Sequence, residues 1–169
     1  MGISPTATID SRFSDPQAAP TAWEDAARAL EQAELYWITT VRTDGRPHVT
    51  PLIGVVVDGV PHFCTGPEEQ KGRNLERDAR VALTTGTNTW AAGLDVVVEG
   101  TAQRVTSRDE LRRLADAYVA KYGEEWRFGV GDGMFEGEGH RAVVFRIEPA
   151  KVLAFAKAPH AQTTYRFSA

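Results

Sequence analysis

Two hydrophobic periods share the chain. Three early runs, "ELYWITTVRT" (34–43), "RPHVTPLIGVVV" (46–57) and "VPHFCT" (60–65), are rich in β-branched and aromatic residues. Asp44-Gly45 and Asp58-Gly59 separate them, dipeptides that supply the positive φ angles of tight hairpins, so the three predict an antiparallel meander. "RVALTTG" (80–86) and "LDVVVEGTAQRVT" (94–106) predict two more strands joined by the loop "TNTWAAG", and "RAVVFRIEP" (141–149) and "KVLAFAK" (151–157) a last pair. The stretch "LIGVVV" does not alternate, which predicts cover on both of its faces.

The helical period appears in three places. Trp23, Ala26, Ala27 and Leu30 predict a helix to about Ala33, opened by a capping box of Thr21 with Glu24. Ser107 with Glu110 opens a second helix, whose Leu111, Leu114, Ala115, Tyr118, Val119 and Tyr122 share one face and which Gly123 terminates. A third, short helix is predicted inside "TGPEEQKGRNLERDARVAL" (65–83), starting at Thr65-Gly66-Pro67 directly after a strand. Residues 1–20 show neither period and predict a flexible arm; the glycine-rich segment Gly123 to Gly139 predicts a mobile loop. About seven strands with few helices, neighbours in sequence joined by short turns, predict a mainly β, antiparallel barrel over residues 21–169.

Composition changes the picture only at its edges. A chain of 169 residues, 42% hydrophobic and 25% charged, fits one domain. Nineteen Lys+Arg against 23 Asp+Glu give a net charge of −4, without the basic field that non-specific nucleic-acid or anionic-membrane binding needs, so any anion site must be local. The single cysteine, Cys64, forms no internal disulfide. With no basic start followed by an apolar run, and no stretch approaching the ~20 apolar residues of a membrane span, the expected location is the cytoplasm.

The candidate chemistry centres on residues 65–83. A helix start with unsatisfied N–H groups, the Thr65 hydroxyl, Gly66 for close backbone approach and Lys71 one turn in would form a phosphate site. Glu68, Glu69, Lys71, Arg73, Glu76 and Arg77 equally describe a solvated surface helix, and spacing alone leaves both open. Gly72 costs that helix about 1 kcal/mol relative to alanine, which points to tight packing against it. The order of a P-loop is absent. His62 and Cys64 alternate on one strand face without a second pair of ligands, so no metal is expected, and Cys64 reads as a small buried hydrophobe or a cofactor neighbour. Trp90, Trp126, Phe128 and Phe135 lie in or beside loops, where large rings can wall a flat apolar pocket.

The run from Thr65 through Lys71 to "NLERDARVAL", together with "ELYWITTVRTDGRPHVTPL" and "TNTWAAGLDVVVEGTAQRVT", resembles the pyridoxamine 5′-phosphate oxidase-like superfamily of flavin-binding split β-barrels over residues 34–106. Within it, the chain is most similar to the actinobacterial branch that binds the deazaflavin coenzyme F-420. The resemblance implies an antiparallel split β-barrel like that of FMN-binding proteins, assembled as a homodimer with cofactor sites across the interface. It implies that Thr65 and Lys71 contact the cofactor phosphate, that Cys64, Gln70 and Asn74 lie beside it, and that Thr50, Pro51 and Leu52 run past the ring. Trp90 is the implied substrate contact. Gln70 stands where true pyridoxamine oxidases usually carry an arginine, and their carboxy-terminal substrate signature is absent, so oxidation of pyridoxamine phosphate is not implied. The implied activity is hydride transfer from reduced F-420 to an unsaturated small molecule, with Arg73, Arg77 and Arg80 as contacts for the coenzyme's oligoglutamate tail. An FMN enzyme on the same barrel, or a non-enzymatic F-420 or haem storage protein, are the alternatives. No catalytic acid is assigned.

Overall fold

The computed structural model describes residues 5–137 and 139–167, and among them eleven strands and three α-helices. Strand β1 (Thr6–Ile9) precedes helix α1 (Trp23–Gln32). The meander β2 (Tyr36–Val41), β3 (Pro47–Leu52), β4 (Gly54–Val57) and β5 (Val60–Thr65) leads into helix α2 (Gln70–Leu75). Strands β6 (Arg80–Thr85) and β7 (Gly93–Val105) precede helix α3 (Arg108–Tyr122). A 3-10 turn at Glu124–Trp126 and strands β8 (Gly129–Gly131), β9 (Met134–Gly137), β10 (His140–Lys157) and β11 (Ala161–Arg166) follow.

The barrel closes through two shared strands. Neighbours run β10-β7-β6-β2-β3, all antiparallel; β3 continues past Ile53 into β4, β4 pairs with β5, and β5 returns to β10. Gly54 sits at that bend because a Cβ there would lie 2.8 Å from the carbonyl oxygen of His62 on β5. Strand β10 divides the sheet. Its first half pairs with β5 (Val143–Arg146 against Thr65–His62) and its second half with β11 (Lys151–Ala156 against Arg166–Ala161), with the register of its pairing to β7 shifting between Pro149 and Lys151. That change of partner along one strand is the split.

Two apolar clusters hold the layers. Tyr36, Ile38, Phe63, Leu83, Val96, Val98 and Ile147 fill the barrel, with Ala26 and Leu30 of α1 packed into the same cluster. On the outside, Leu111, Leu114 and Tyr118 of α3 cover Val55, Phe135 and Val144. The "LIGVVV" stretch runs between them: Leu52 and Val56 pack on the barrel core, Ile53, Val55 and Val57 on the α3 cluster. Its two-sided cover therefore comes from this chain's own helix. Among the described residues, no helix is long and apolar enough to cross a membrane.

The structure departs from the sequence expectations at several points. The run expected as one strand at 46–57 bends between Leu52 and Gly54 into β3 and β4, and β11 follows the last expected strand. The arm expected at residues 1–20 is ordered from Thr6: β1 pairs with β11, and Asp10 and Asp15 donate backbone N–H groups to Gln162 and His160. Residues 1–4 lie outside the described residues. The Thr21–Glu24 capping box does not form; the helix begins after Ala22, and the Thr21 N–H donates instead to Thr163 Oγ1 at 2.9 Å. Helix α2 begins at Gln70 and has only six residues, because Gly66 to Glu69 form a turn closed by the Glu69 N–H on the Gly66 carbonyl. Much of the segment expected as a mobile loop is a hairpin, β8–β9, turning on Asp132 and Gly133 with φ of 49° and 69°, the positive pair of a tight hairpin. The last two expected strands are one strand, β10, running through Pro149 at the register shift.

Candidate functional site

Strand β5 and the turn after it deliver the polar end of an open cleft of about 520 Å³. Cys64, Thr65, Gly66, Glu69 and Lys71 line it from that side; Leu35, Pro51, Leu52 and Ile53 line it from β2–β4; Trp126 and Phe128 come from the segment after α3, and His140 and Arg141 from the start of β10. Apolar surface thus faces a concentrated polar corner. That is the composition of a site for a flat molecule with an anionic end.

Lys71 is the key to the corner. Its side chain is only 10% exposed, far below what a lysine on a solvated helix shows, and its ammonium is ion-paired to Glu69. Behind it, Gln70 Nε2 donates to Asn74 Oδ1 at 2.8 Å, and Asn74 Nδ2 donates to Thr40 Oγ1 at 2.9 Å, which ties α2 to β2. Gly72 is explained by the same packing: a Cβ there would lie 2.7 Å from the Gly66 carbonyl oxygen and 3.0 Å from that of Pro67. The helix rests directly on the turn that carries Gly66.

Two buried polar atoms on β3, His48 Nδ1 and Thr50 Oγ1, have no hydrogen-bond partner among the described residues. They alternate with Val49 and Pro51, so they share the face of Leu52. Burial first, and then the positive charges of Arg42 and Lys71, lower the His48 pKa, which keeps the imidazole neutral at neutral pH. Burial pushes the Cys64 thiol up to about 11, so it is a neutral wall of the cleft and no nucleophile.

Of the residues singled out in the sequence, Pro51, Leu52, Cys64, Thr65 and Lys71 meet in this cleft, while Thr50, Gln70 and Asn74 stand beside or behind it. Trp90 does not reach it. The residue is 83% exposed and, with Phe13 and His160, borders a separate cavity of about 580 Å³. Arg73, Arg77 and Arg80 do not line the cleft either; Arg73 pairs with Glu68 at 3.0 Å and Arg80 with Asp78. His140 and Arg141 line the cleft instead, which no sequence signal indicated, and Arg141 pairs with Asp132 at 3.4 Å. Of the four loop aromatics, Trp126 and Phe128 are the ones in the cleft, and Phe128 is fixed by stacking on buried Phe135 at 4.6 Å. His62 and Cys64, two residues apart on β5, open into different cavities: His62 faces one of about 330 Å³ with Glu110, Arg113 and Arg146.

Comparison with known proteins agrees with the fold. The profile of the family described as pyridoxamine 5′-phosphate oxidase matches residues 22–156. No curated protein matches the chain in sequence. Among solved structures, a heme binding protein from Mycobacterium smegmatis superposes with a TM-score of 0.70 at 20% identity, covering 88% of this chain and 59% of that one. A conserved hypothetical protein from Mycobacterium tuberculosis has a TM-score of 0.68 at 21% identity, covering 85% of this chain and 89% of its own. The heme storage protein HutZ from Vibrio cholerae has a TM-score of 0.59 at 19% identity, covering 79% of this chain and 91% of its own. At these identities the likeness is one of fold, and the chain spans 59% of the length of the first of them.

Proposed function

Because the chain belongs to the pyridoxamine 5′-phosphate oxidase family, we propose that its cleft holds a phosphate-bearing flavin-type cofactor, coenzyme F-420, and that the protein is an oxidoreductase acting on an unsaturated small molecule. The observation that carries this reading is the buried Lys71 at the polar end of an otherwise apolar cleft. The unpartnered Thr50 hydroxyl and His48 nitrogen, on the β3 face shared with Leu52, fit a ligand that brings its own hydrogen-bonding groups. When bound, the deazaflavin supplies the hydride. The chain's contribution is binding and orientation: Lys71, the Gly66 N–H and the Thr65 hydroxyl hold the phosphate, while Pro51, Leu52, Ile53 and Phe128 exclude water from the ring. Arg141 and His140, which line the cleft, would be the contacts for the acidic tail that distinguishes F-420 from FMN. We further propose a homodimer, formed over the β2–β3 face that leaves Trp37 and Val49 about half exposed at 48% and 53%.

Haem binding or storage is the second reading. It is favoured by what the names of two structural neighbours say of those proteins, and by an imidazole, His140, at the rim of the cleft. Parallel titrations with F-420, FMN and haem separate the three ligands, each by its own absorbance. Lys71→Met is expected to weaken F-420 binding about 10- to 100-fold, the loss of a charge-assisted phosphate contact in a sheltered site, with the circular dichroism unchanged. An unchanged dissociation constant would sink the reading.

A further inference from the structure

The corner that would grip a phosphate is already filled by the chain itself. The carboxylate of Glu69 uses both of its oxygens there: Oε2 is ion-paired to the Lys71 ammonium, and Oε1 accepts the Gly66 N–H at 2.8 Å. These are the charge and the backbone donor assigned above to the ligand. A carboxylate held on both cannot share them with a phosphate, since two anionic groups would then compete for the same donors within one hydrogen-bond length.

The two partners are unequally fixed. The Lys71 side chain is 10% exposed and belongs to the helix that rests on the turn, whereas the Glu69 side chain is 53% exposed and opens to water. Glu69 is therefore the partner that moves: turning its χ angles hydrates its carboxylate, while withdrawing Lys71 would require α2 to lift from the barrel.

We propose that Glu69 is an internal counter-ion that closes the anion subsite of the free protein, and that a ligand phosphate enters by exchange, displacing Glu69 to solvent. The inference rests on the cofactor reading of the cleft given above. It makes Glu69 a specificity-determining residue. An intramolecular carboxylate presents a high local concentration to Lys71, so a ligand must bring a phosphate, and ring contacts besides, to replace it. A ligand with the same ring and no phosphate leaves Glu69 in place.

The test is equilibrium titration of FMN, F-420 and riboflavin, followed by their fluorescence, into the wild-type chain and into Glu69→Gln, Glu69→Ala and Lys71→Met. Glu69→Gln keeps the shape and is half exposed, so it folds; thermal melting verifies this. The two Glu69 variants are expected to bind FMN and F-420 about tenfold tighter than wild type, or to bind them where wild type does not, with riboflavin affinity unchanged. If Lys71→Met loses the phosphate preference but Glu69→Gln binds no tighter, or more weakly, then exchange is wrong and the cofactor reading stands. If none of the three ligands binds any variant, or all bind every variant alike, both fall together.

Discussion

Replacing Gly72 by alanine tests the packing that builds the candidate site without requiring any ligand. In an ordinary short helix the change stabilises by about 1 kcal/mol, because alanine loses less backbone entropy. Here the new methyl group would sit 2.7 Å from the Gly66 carbonyl oxygen and 3.0 Å from that of Pro67, and both neighbours are backbone that cannot rotate aside. Relief requires α2 or the Gly66–Glu69 turn to move by several tenths of an ångström, an overpacking cost of about 3 kcal/mol at the upper end of its usual range. The difference is a net destabilisation of about 2 kcal/mol, which for a domain of this size lowers the melting temperature by roughly 4–8 °C. Urea denaturation gives the free energy, and an unchanged m-value verifies that the denatured state is the same. A variant as stable as wild type, or more stable, would show that α2 does not rest on the turn. The explanation of Gly72 would fail, and with it the rigidity assigned to Lys71.

That glycine also marks how far the sequence could be read. The β-period, the Asp-Gly turns and the α3 face are local signals, and β2, β5 to β7 and α3 stand where local physics puts them, whereas the run at 46–57 reads as one strand and the barrel's closure bends it into β3 and β4. The same Asp-Gly signal occurs at Asp132-Gly133 inside a glycine-rich segment, and the hairpin there is held by pairing of β9 with β10 rather than by propensity. Strands β1 and β11 carry little apolar alternation, and β1 exists because β11 offers it an edge. The site divides along the same line. Thr65 and Lys71 were legible from their place after a strand, and Gly72 as a sign of tight packing whose partner only the fold reveals. Glu69 was indistinguishable from a solvated acid, because its role depends on folding back over Gly66, and Arg141 reaches the cleft only because β10 crosses β5. Trp90 shows the converse: nearness in sequence to the segments expected to hold a cofactor did not become nearness to the cleft within the chain, since the 87–93 loop leaves the barrel beside Phe13 and His160.

Two further outcomes follow from the buried ionisable groups. With its thiol pushed up to about 11, Cys64 should react with a disulfide reagent at pH 8 on the order of a hundredfold more slowly in the native protein than in urea; equal rates would contradict its burial. Lys121 provides a pH test. Its ammonium, at the end of α3, donates to Tyr36 Oη and to the Gly54 carbonyl oxygen, both at 2.9 Å, over the Tyr36 ring, and burial lowers its pKa from 10.5 to about 8 against the opposing pull of Glu34. Above pH 8 the folded chain then releases a proton that the unfolded chain retains, so the unfolded state binds more protons and this group makes stability rise with pH until the unfolded lysine also titrates. Cys64 and the buried tyrosines, with pKa values raised in the fold, act in the opposite direction at higher pH. The informative quantity is therefore the difference between wild type and Lys121→Met, in which those common contributions cancel. Between about pH 8 and 9.5, wild-type stability should gain on the variant's, by less than the full shift implies because Lys121 is partly solvated. Parallel pH profiles would mean that Lys121 keeps its solution pKa, and that the junction of α3 with β2 and β4 is open to water.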